Sequence, residues 1–197
     1  MCGIFGCKPA VDSWLTDSID KQNSRGPDQS SKLIVGDIGL AVNRLAITGN
    51  LDEGSQPVVS KSKKTLCVFN GALYNYKRLI KDFALNPSST NDAAVALELF
   101  ELMGAEFFNH IQGMFSIIVI DLTINKMIVG RDMLGIKPLY CAFNKQQCVF
   151  SSSIAAMPIE MLPFVQAFPP GCIWFDDGKV EQIKPKIENK KDIYSIF

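Results

Sequence analysis

The second residue of the chain is a cysteine, whose thiol and main-chain amine would belong to one terminal residue after removal of Met1. Cysteine is strongly nucleophilic near neutral pH, but it reacts as the thiolate and needs a base. The lone histidine, His110, lies in EFFNHIQG near the predicted end of a helix and is a poor candidate. The Cys2 α-amino group is another base, since its reference pKa of roughly 7.7–8.0 suits proton transfer at neutral pH. Cys2 is therefore either an unreactive residue beginning a strand or a nucleophile that carries its own base.

The composition predicts a globular protein with one sizeable core. The chain has 197 residues, of which 47% are hydrophobic and 20% are charged. Lys and Arg together balance Asp and Glu, so there is no broad basic field to attract nucleic acid or an anionic membrane. No apolar run approaches the roughly 18 residues of a membrane span, and the terminus lacks a secretory leader pattern. We therefore expect a cytoplasmic protein.

The remaining cysteines predict neither a metal site nor a disulfide framework. No pair has C-x-x-C spacing, and one histidine cannot build a metal cluster, so we expect no metal and no cofactor. We expect His110 to be solvated or to cap a helix. Five cysteines are expected to be free, apolar thiols in a reducing cytoplasm: Cys7, Cys67, Cys141, Cys148 and Cys172.

Hydrophobic patterning predicts a mixed α and β domain. Helices are predicted over 75–83 and 91–103, the second with caps among Ser88, Ser89 and Thr90. The segment FSIIVI is almost continuously apolar, which is typical of a strand buried between a second sheet and a helix. The pattern therefore indicates two packed sheets with helices outside. Strands are predicted over 33–48 as a pair, 65–70 ending abruptly at Asn-Gly, 115–120, 126–130, 139–144, 148–152, and a last hairpin over 172–183.

Nine short motifs, which occur in a fixed order along the chain, favour the interpretation of Cys2 as a nucleophile. The chain resembles the glutaminase domain of class II glutamine amidotransferases, and looks most similar to that of glutamine-hydrolysing asparagine synthetases. The resemblance covers essentially the whole chain, and its specificity comes from the order and spacing of the set. The motifs are MCGIFG, RGPD, NRLAITG, SQPV, FNGALYN, TNDAAVALELFELMGAEFF, QGMFSIIVID, GRDMLGIKPLY and FPPGCIWFDDG.

The resemblance implies an N-terminal-nucleophile hydrolase fold, a four-layer αββα sandwich of α+β class. This agrees with the independent prediction of two packed sheets. It also implies a reaction in which Cys2 attacks the side-chain amide of L-glutamine, ammonia leaves, and water hydrolyses the glutamyl thioester. In the family the ammonia normally passes to a synthetase active site.

The family pattern also assigns roles to residues of this chain. The Asn70 side-chain amide and the Gly71 N–H would form the oxyanion hole that a tetrahedral intermediate requires. Arg44 would bind the glutamine α-carboxylate in a bidentate manner, and Asp92 would bind the α-ammonium. Further backbone or hydroxyl contacts are expected from Ile47 and Thr48.

Three positions depart from the family pattern. Ala72 follows Asn-Gly where asparagine synthetases often have glutamate, and Ala94 replaces a glutamate two residues after Asp92. Ser151-Ser152-Ser153 stands where the family has Ala-Ser-Glu, so Ser153 replaces a glutamate. That glutamate lies toward the synthetase side in the family, so its loss bears on coupling to a partner more than on cysteine chemistry. Other matching residues are interpreted as loop-fixing or interface positions: Arg25, Gly26, Pro27, Asp28, Arg131, Asp132, Lys137 and Pro138.

We predict a glutaminase domain over residues 2–183, followed by a charged tail or linker over 184–197. The chain lacks the Ser-Gly-Gly-x-Asp-Ser-type loop of an ATP-pyrophosphatase domain, so it is not expected to bind ATP or make asparagine alone. The expected partner is an ATP-pyrophosphatase-type synthetase subunit or domain that receives ammonia. Two alternatives stay open: a stand-alone amidohydrolase, and a non-catalytic glutamine-binding or scaffold subunit.

Overall fold

Two antiparallel sheets of six strands each stack face to face in the computed structural model, which describes residues 1–46, 54–89 and 91–186. The first sheet has the order β10-β8-β9-β1-β3-β2. Its strands are β1 (Gly3–Lys8), β2 (Gln29–Val35), β3 (Ile38–Arg44), β8 (Tyr140–Phe143), β9 (Cys148–Ser151) and β10 (Val165–Ala167). β1 lies in its interior and pairs with β3 from Gly3↔Asn43 to Cys7↔Gly39.

The second sheet has the order β12-β11-β7-β6-β5-β4. Its strands are β4 (Val58–Val59), β5 (Thr65–Leu73), β6 (Gly113–Asp121), β7 (Lys126–Arg131), β11 (Cys172–Phe175) and β12 (Val180–Gln182). β5 and β6 pair along their whole length, from Thr65↔Asp121 to Leu73↔Gly113. β4 covers only Leu66 and Cys67 of β5, which leaves the rest of that edge for other partners.

Helices cover the two outer faces and complete four layers. α1 (Asp12–Gln22) packs on the first sheet, whereas α2 (Tyr76–Asp82) and α3 (Asp92–Met103) pack on the second. The core between the sheets is built by alternate residues of facing strands, such as Ile4, Val42 and Val68. The predicted architecture of two packed sheets with outer helices is therefore confirmed.

Most predicted elements are present, and two local predictions were wrong. β5 does not end at Asn-Gly but continues through both residues to Leu73, because β6 pairs with it beyond that point. The side chain that caps α3 is Asn91, which accepts from the Ala94 N–H at 2.7 Å. Ser88 and Ser89 lie outside this cap, and Thr90 falls outside the described residues.

Further sequence expectations can be compared with the described part of the chain. FSIIVI is buried at every position between the other sheet and α3, as predicted. All six cysteines are free, and all but Cys2 are buried. Among the described segments, no helix combines the length and apolarity needed to cross a membrane. The boundary between 2–183 and the 184–197 tail stays a prediction, and residues 187–197 lie outside the described range.

Candidate functional site

A small cleft of about 210 Å³ opens at one end of the sandwich, where the apolar rows between the sheets give way to polar residues. The row that contains Ile4 continues outward to Cys2, and the row that contains Val42 continues to Arg44. On the facing sheet, the row that contains Val68 continues to Asn70. Because side chains alternate along strands, Cys2, Arg44 and Asn70 are directed into the space between the sheets.

The cleft brings together five of the seven predicted site residues, namely Cys2, Arg44, Asn70, Gly71 and Asp92. The other two, Ile47 and Thr48, lie outside the described residues. His110 does not line the cleft; its ring packs edge-on against Phe83 with centroids 5.1 Å apart, and its Nε2 is 3.0 Å from Lys186 Nζ.

Cys2 is half-buried immediately before β1, and its thiol sulfur lies 3.9 Å from the Leu45 carbonyl oxygen. Its own carbonyl oxygen accepts a hydrogen bond from Arg25 Nε at 3.3 Å. Burial lowers the pKa of Arg25, and the neighbouring Cys2 and Tyr140 oppose this by raising it. Arg25, interpreted from the sequence as loop-fixing, thus contacts the predicted nucleophilic residue itself.

Asn70 is 1% exposed, and its Nδ2 has no hydrogen-bond acceptor among the described residues. A buried amide without an acceptor is costly, so native proteins seldom retain one without a reason. The carbonyl oxygen of a bound ligand would supply the missing acceptor.

The Gly71 N–H is directed to the open edge of β5. Its partner Phe115 uses both backbone groups toward Asp132: the Phe115 N–H donates to Asp132 Oδ2 at 3.2 Å, and the Phe115 carbonyl accepts from the Asp132 N–H at 2.9 Å. Gly71 and Phe115 are therefore a non-hydrogen-bonded pair, and Gly71 faces away from β6. A side chain at residue 71 would overlap the Met114 carbonyl oxygen, which accounts for glycine at this position.

Arg44 ends β3 and is 6% exposed, so its charge is largely removed from water. Its Nη1 lies 3.4 Å from Gln29 Oε1. Gly54 packs so closely on the guanidinium that a Cβ there would overlap Nη2. The position of Arg44 in the cleft suits a bidentate contact with a carboxylate.

Asp92 is the first residue of α3, where the helix dipole favours a carboxylate. Its Oδ2 accepts from the Leu73 N–H at 2.9 Å, and its Oδ1 accepts from the Ala93 N–H at 3.1 Å. Burial raises the pKa of Asp92, and these backbone hydrogen bonds only partly offset that effect. Arg44 and Asp92 thus place a guanidinium and a carboxylate in the cleft, which match the two charged ends of a zwitterionic amino acid.

The three departures from the family pattern fall in different surroundings. Ala72 lines the cleft and offers only a methyl group. Ala94 is 3% exposed and packs in the core between α3 and the second sheet. Ser153 lies beside β9, where its N–H donates to Ser151 Oγ at 3.1 Å and its carbonyl accepts from the same hydroxyl at 2.9 Å.

Sequence reasoning gave no site role to several residues that line the cleft, among them Lys137 and Gln56. Lys137, assigned to a loop or an interface, is 8% exposed and lines the cleft. Gln56 also lines it, and its side-chain amide bonds to the backbone of β5 beside Asn70. Gln56 stands within the quoted motif SQPV, so its presence in the ordered set was the available signal.

Comparisons with known proteins show the family to which the chain belongs. The model of the glutamine amidotransferase domain family matches residues 1–170. The chain is 28% identical over 193 residues to asparagine synthetase B [glutamine-hydrolyzing] of Escherichia coli, covering 91% of this chain and 34% of that protein. It is 32% identical over 182 residues to asparagine synthetase [glutamine-hydrolyzing] 3 of Arabidopsis thaliana, covering 88% and 31% respectively.

A solved structure has the same fold. Glutamine phosphoribosylpyrophosphate amidotransferase from Bacillus subtilis matches with a TM-score of 0.76 and 17% identity, over 92% of this chain and 49% of that chain. The predicted N-terminal-nucleophile hydrolase fold is confirmed. The chain spans about a third of the length of the curated relatives described here.

Proposed function

The chain belongs to the family of glutamine amidotransferase domains, and from this premise we propose that it hydrolyses the side-chain amide of L-glutamine through a thioester on Cys2. The observation that carries the proposal is the meeting of Cys2, Asn70 and Gly71 in one cleft with Arg44 and Asp92. This set provides a nucleophile, two oxyanion donors, and one group for each charged end of the substrate.

The first step requires removal of Met1, which lies half-exposed at the cleft. The freed α-amine of Cys2 takes the thiol proton, and the thiolate attacks the amide carbon of glutamine. Arg25 holds the Cys2 carbonyl while the amine and thiol of the same residue act. A carbon–sulfur bond forms, and the carbonyl π electrons move onto oxygen.

The oxyanion so formed accepts hydrogen bonds from Asn70 Nδ2 and the Gly71 N–H. When the intermediate collapses, the carbon–nitrogen bond breaks, and the Cys2 ammonium returns its proton to the departing nitrogen. Ammonia leaves and a γ-glutamyl thioester remains. Water, activated by the same amine, hydrolyses the thioester to glutamate and regenerates the thiol.

We further propose that the ammonia is used by a synthetase active site outside the described residues. Glutamine-hydrolysing asparagine synthetases are among the relatives of the chain, and they are about three times as long. The acceptor site would lie in a further domain or in a separate subunit of ATP-pyrophosphatase type.

The testing experiment is an intact mass measurement before and after treatment with a glutamine-like diazoketone, followed by peptide mapping. We expect a protein without Met1 that gains one adduct on Cys2, and we expect excess glutamine to block the adduct. Cys2→Ala should give no adduct, whereas Cys172→Ala, which removes a buried thiol, should react like the wild type.

Two results would count against the proposal. Retention of Met1 would exclude the amine base. Mature protein that gains no adduct at high reagent concentration would favour the non-catalytic subunit. A normal adduct with free ammonia release in the absence of any partner would favour a stand-alone amidohydrolase.

A further inference from the structure

Gln56 extends the edge of β5 with its side chain in place of a strand. Its Oε1 accepts from the Phe69 N–H at 2.6 Å, and its Nε2 donates to the Phe69 carbonyl at 2.9 Å. One primary amide thus satisfies both backbone groups of one residue, as the backbone of a neighbouring strand would. β4 provides its backbone pairing only as far as Cys67, so Gln56 occupies the next position along this edge.

The position matters because Phe69 precedes the two predicted oxyanion donors. Backbone groups of Cys67, Phe69, Gly71 and Leu73 face the same edge, since alternate residues of a strand point the same way. Gln56 fixes Phe69 on one side of Gly71, and Asp92 Oδ2 fixes the Leu73 N–H on the other side at 2.9 Å. Gln56 and Asp92 therefore hold the open edge of β5 on both sides of the Gly71 N–H, while the pairs Asn70↔Ser116 and Ala72↔Met114 hold the edge that faces β6.

Gln56 is itself held from the opposite sheet. The Ser31 hydroxyl on β2 donates to the Gln56 carbonyl at 2.5 Å. A continuous set of contacts therefore runs from the first sheet, which contains Arg44 and whose strand β1 follows Cys2, through Gln56 to the strand that contains Asn70 and Gly71. These contacts connect the side of the cleft formed by the first sheet to the side formed by β5.

We propose that Gln56 is a positioning residue, whose amide holds the Phe69–Gly71 backbone so that Asn70 and Gly71 point at the oxyanion. The proposal rests on the proposed function and deepens it. The donors act on the transition state more than on bound glutamine, so the loss of Gln56 should lower kcat and leave KM for glutamine largely unchanged.

Two variants at this position separate the two hydrogen bonds. Gln56→Met has nearly the same length and makes neither bond. Gln56→Glu keeps an acceptor for the Phe69 N–H but, when ionised, cannot donate to the Phe69 carbonyl. Gln146→Met is the matched control, because Gln146 lies exposed in the turn between β8 and β9 and its side chain takes no part in the cleft.

The experiment combines glutaminase kinetics with residue-level amide hydrogen exchange on the mature protein. For Gln56→Met we expect kcat to fall about 10- to 100-fold at nearly constant KM, since small misplacements of catalytic groups cost rates of this order. We also expect the Phe69 amide to exchange about tenfold faster, with β6 amides unchanged. Gln56→Glu should keep the Phe69 amide protected and give an intermediate kcat, and Gln146→Met should behave as wild type.

The outcomes separate this inference from the function on which it rests. Unchanged Phe69 exchange, or unchanged kcat, in Gln56→Met would overturn the positioning role. A lower kcat accompanied by a raised KM and a lower thermal stability would overturn it too, because Gln56 would then have a purely structural role. A wild-type protein that releases no ammonia would refute the proposed function, and Phe69 exchange would still decide whether Gln56 holds this strand.

Discussion

Asn70 carries the clearest chemical signal at the scale of single residues. Its buried Nδ2 has no acceptor among the described residues, while the Gly71 N–H beside it faces the open edge of β5. Two donors without an acceptor among the described residues fit the proposed role of stabilising a charge that develops only during reaction. The same cleft places a buried guanidinium and a helix-terminal carboxylate near them.

The proposed contact between the Arg44 guanidinium and the glutamine carboxylate can be tested by a substitution that preserves the positive charge. Arg44→Lys should raise KM for glutamine about 10- to 100-fold with a smaller effect on kcat, because a lysine ammonium cannot form two parallel hydrogen bonds to a carboxylate. Steady-state kinetics would measure this, with Arg78→Lys on α2 as the control. An unchanged KM would remove Arg44 from the substrate site.

The raised pKa of Asp92 leads us to expect that substrate binding depends on pH. Burial raises its pKa above the ordinary value, so the carboxylate loses its charge earlier than usual as the pH falls. The ammonium of glutamine stays charged in acid, so KM should rise as the pH drops through the folded pKa of Asp92. KM measured at successively lower pH would follow the titration.

The matched variant for this effect is Asp92→Asn, which keeps an acceptor for the Leu73 N–H but carries no charge. Its KM should be high and nearly independent of pH over the same range. A wild-type KM that stays flat in acid would argue that another group binds the ammonium.

At the scale of elements, the cleft lies where β1 begins, β3 ends and α3 begins. The outward ends of the β1 and β3 rows meet the edge of β5, and α3 begins beside them. The paired register of β5 and β6 decides which backbone groups of β5 face that edge. A shift by one residue would direct Gly71 toward β6 and Asn70 away from the cleft.

The start of α3 gives a stability prediction at this scale. Asn91→Ala removes the cap on the Ala94 N–H and should lower the free energy of unfolding by about 1 kcal/mol. Ser88→Ala should have little effect, although the sequence placed Ser88 among the candidate caps. Chemical denaturation of both variants would measure the difference; equal losses would contradict the cap assignment.

At the scale of the whole molecule, the two sheets are also joined at the end of β1 away from Cys2. Lys8 at the end of β1 contacts Asp176, which follows β11, at 2.6 Å, and Asp37 between β2 and β3 at 3.6 Å. Burial tends to lower the pKa of Lys8, but the two carboxylates outweigh it and the pKa is raised. This ion-pair group and the Ser31–Gln56 bond connect the sheets at two separate places.

We expect the ion pairs of Lys8 with Asp37 and Asp176 to contribute modestly to the free energy of unfolding. Asp176→Asn should lower the free energy of unfolding by up to about 1 kcal/mol, and high salt should shrink the difference. Asp177→Asn in the same turn is the control, since asparagine can still accept from the Lys179 N–H. Denaturation at low and high ionic strength would measure both, and an unchanged Asp176→Asn would show that the pair adds nothing.

The sequence by itself determined the family and most elements of this protein. The ordered motifs, through the family resemblance they carry, predicted Cys2, Arg44, Asn70, Gly71 and Asp92 as site residues, and these five line one cleft. Short periodic patterns predicted the paired strands and the two later helices. These signals are local, because alternation and helical spacing follow from backbone geometry alone. The separation of buried FSIIVI from polar turns was enough to predict two packed sheets.

Only the tertiary structure decided how distant segments meet. The extension of β5 beyond Asn-Gly depends on pairing with β6, and the contacts of Arg25 with Cys2 and of Gln56 with Phe69 join residues far apart in sequence. Such contacts depend on the register and stacking of the sheets, which no local pattern encodes. The physical reason is that a donor's direction is set by its strand's partner, and the partner is chosen when the sheets pair and pack.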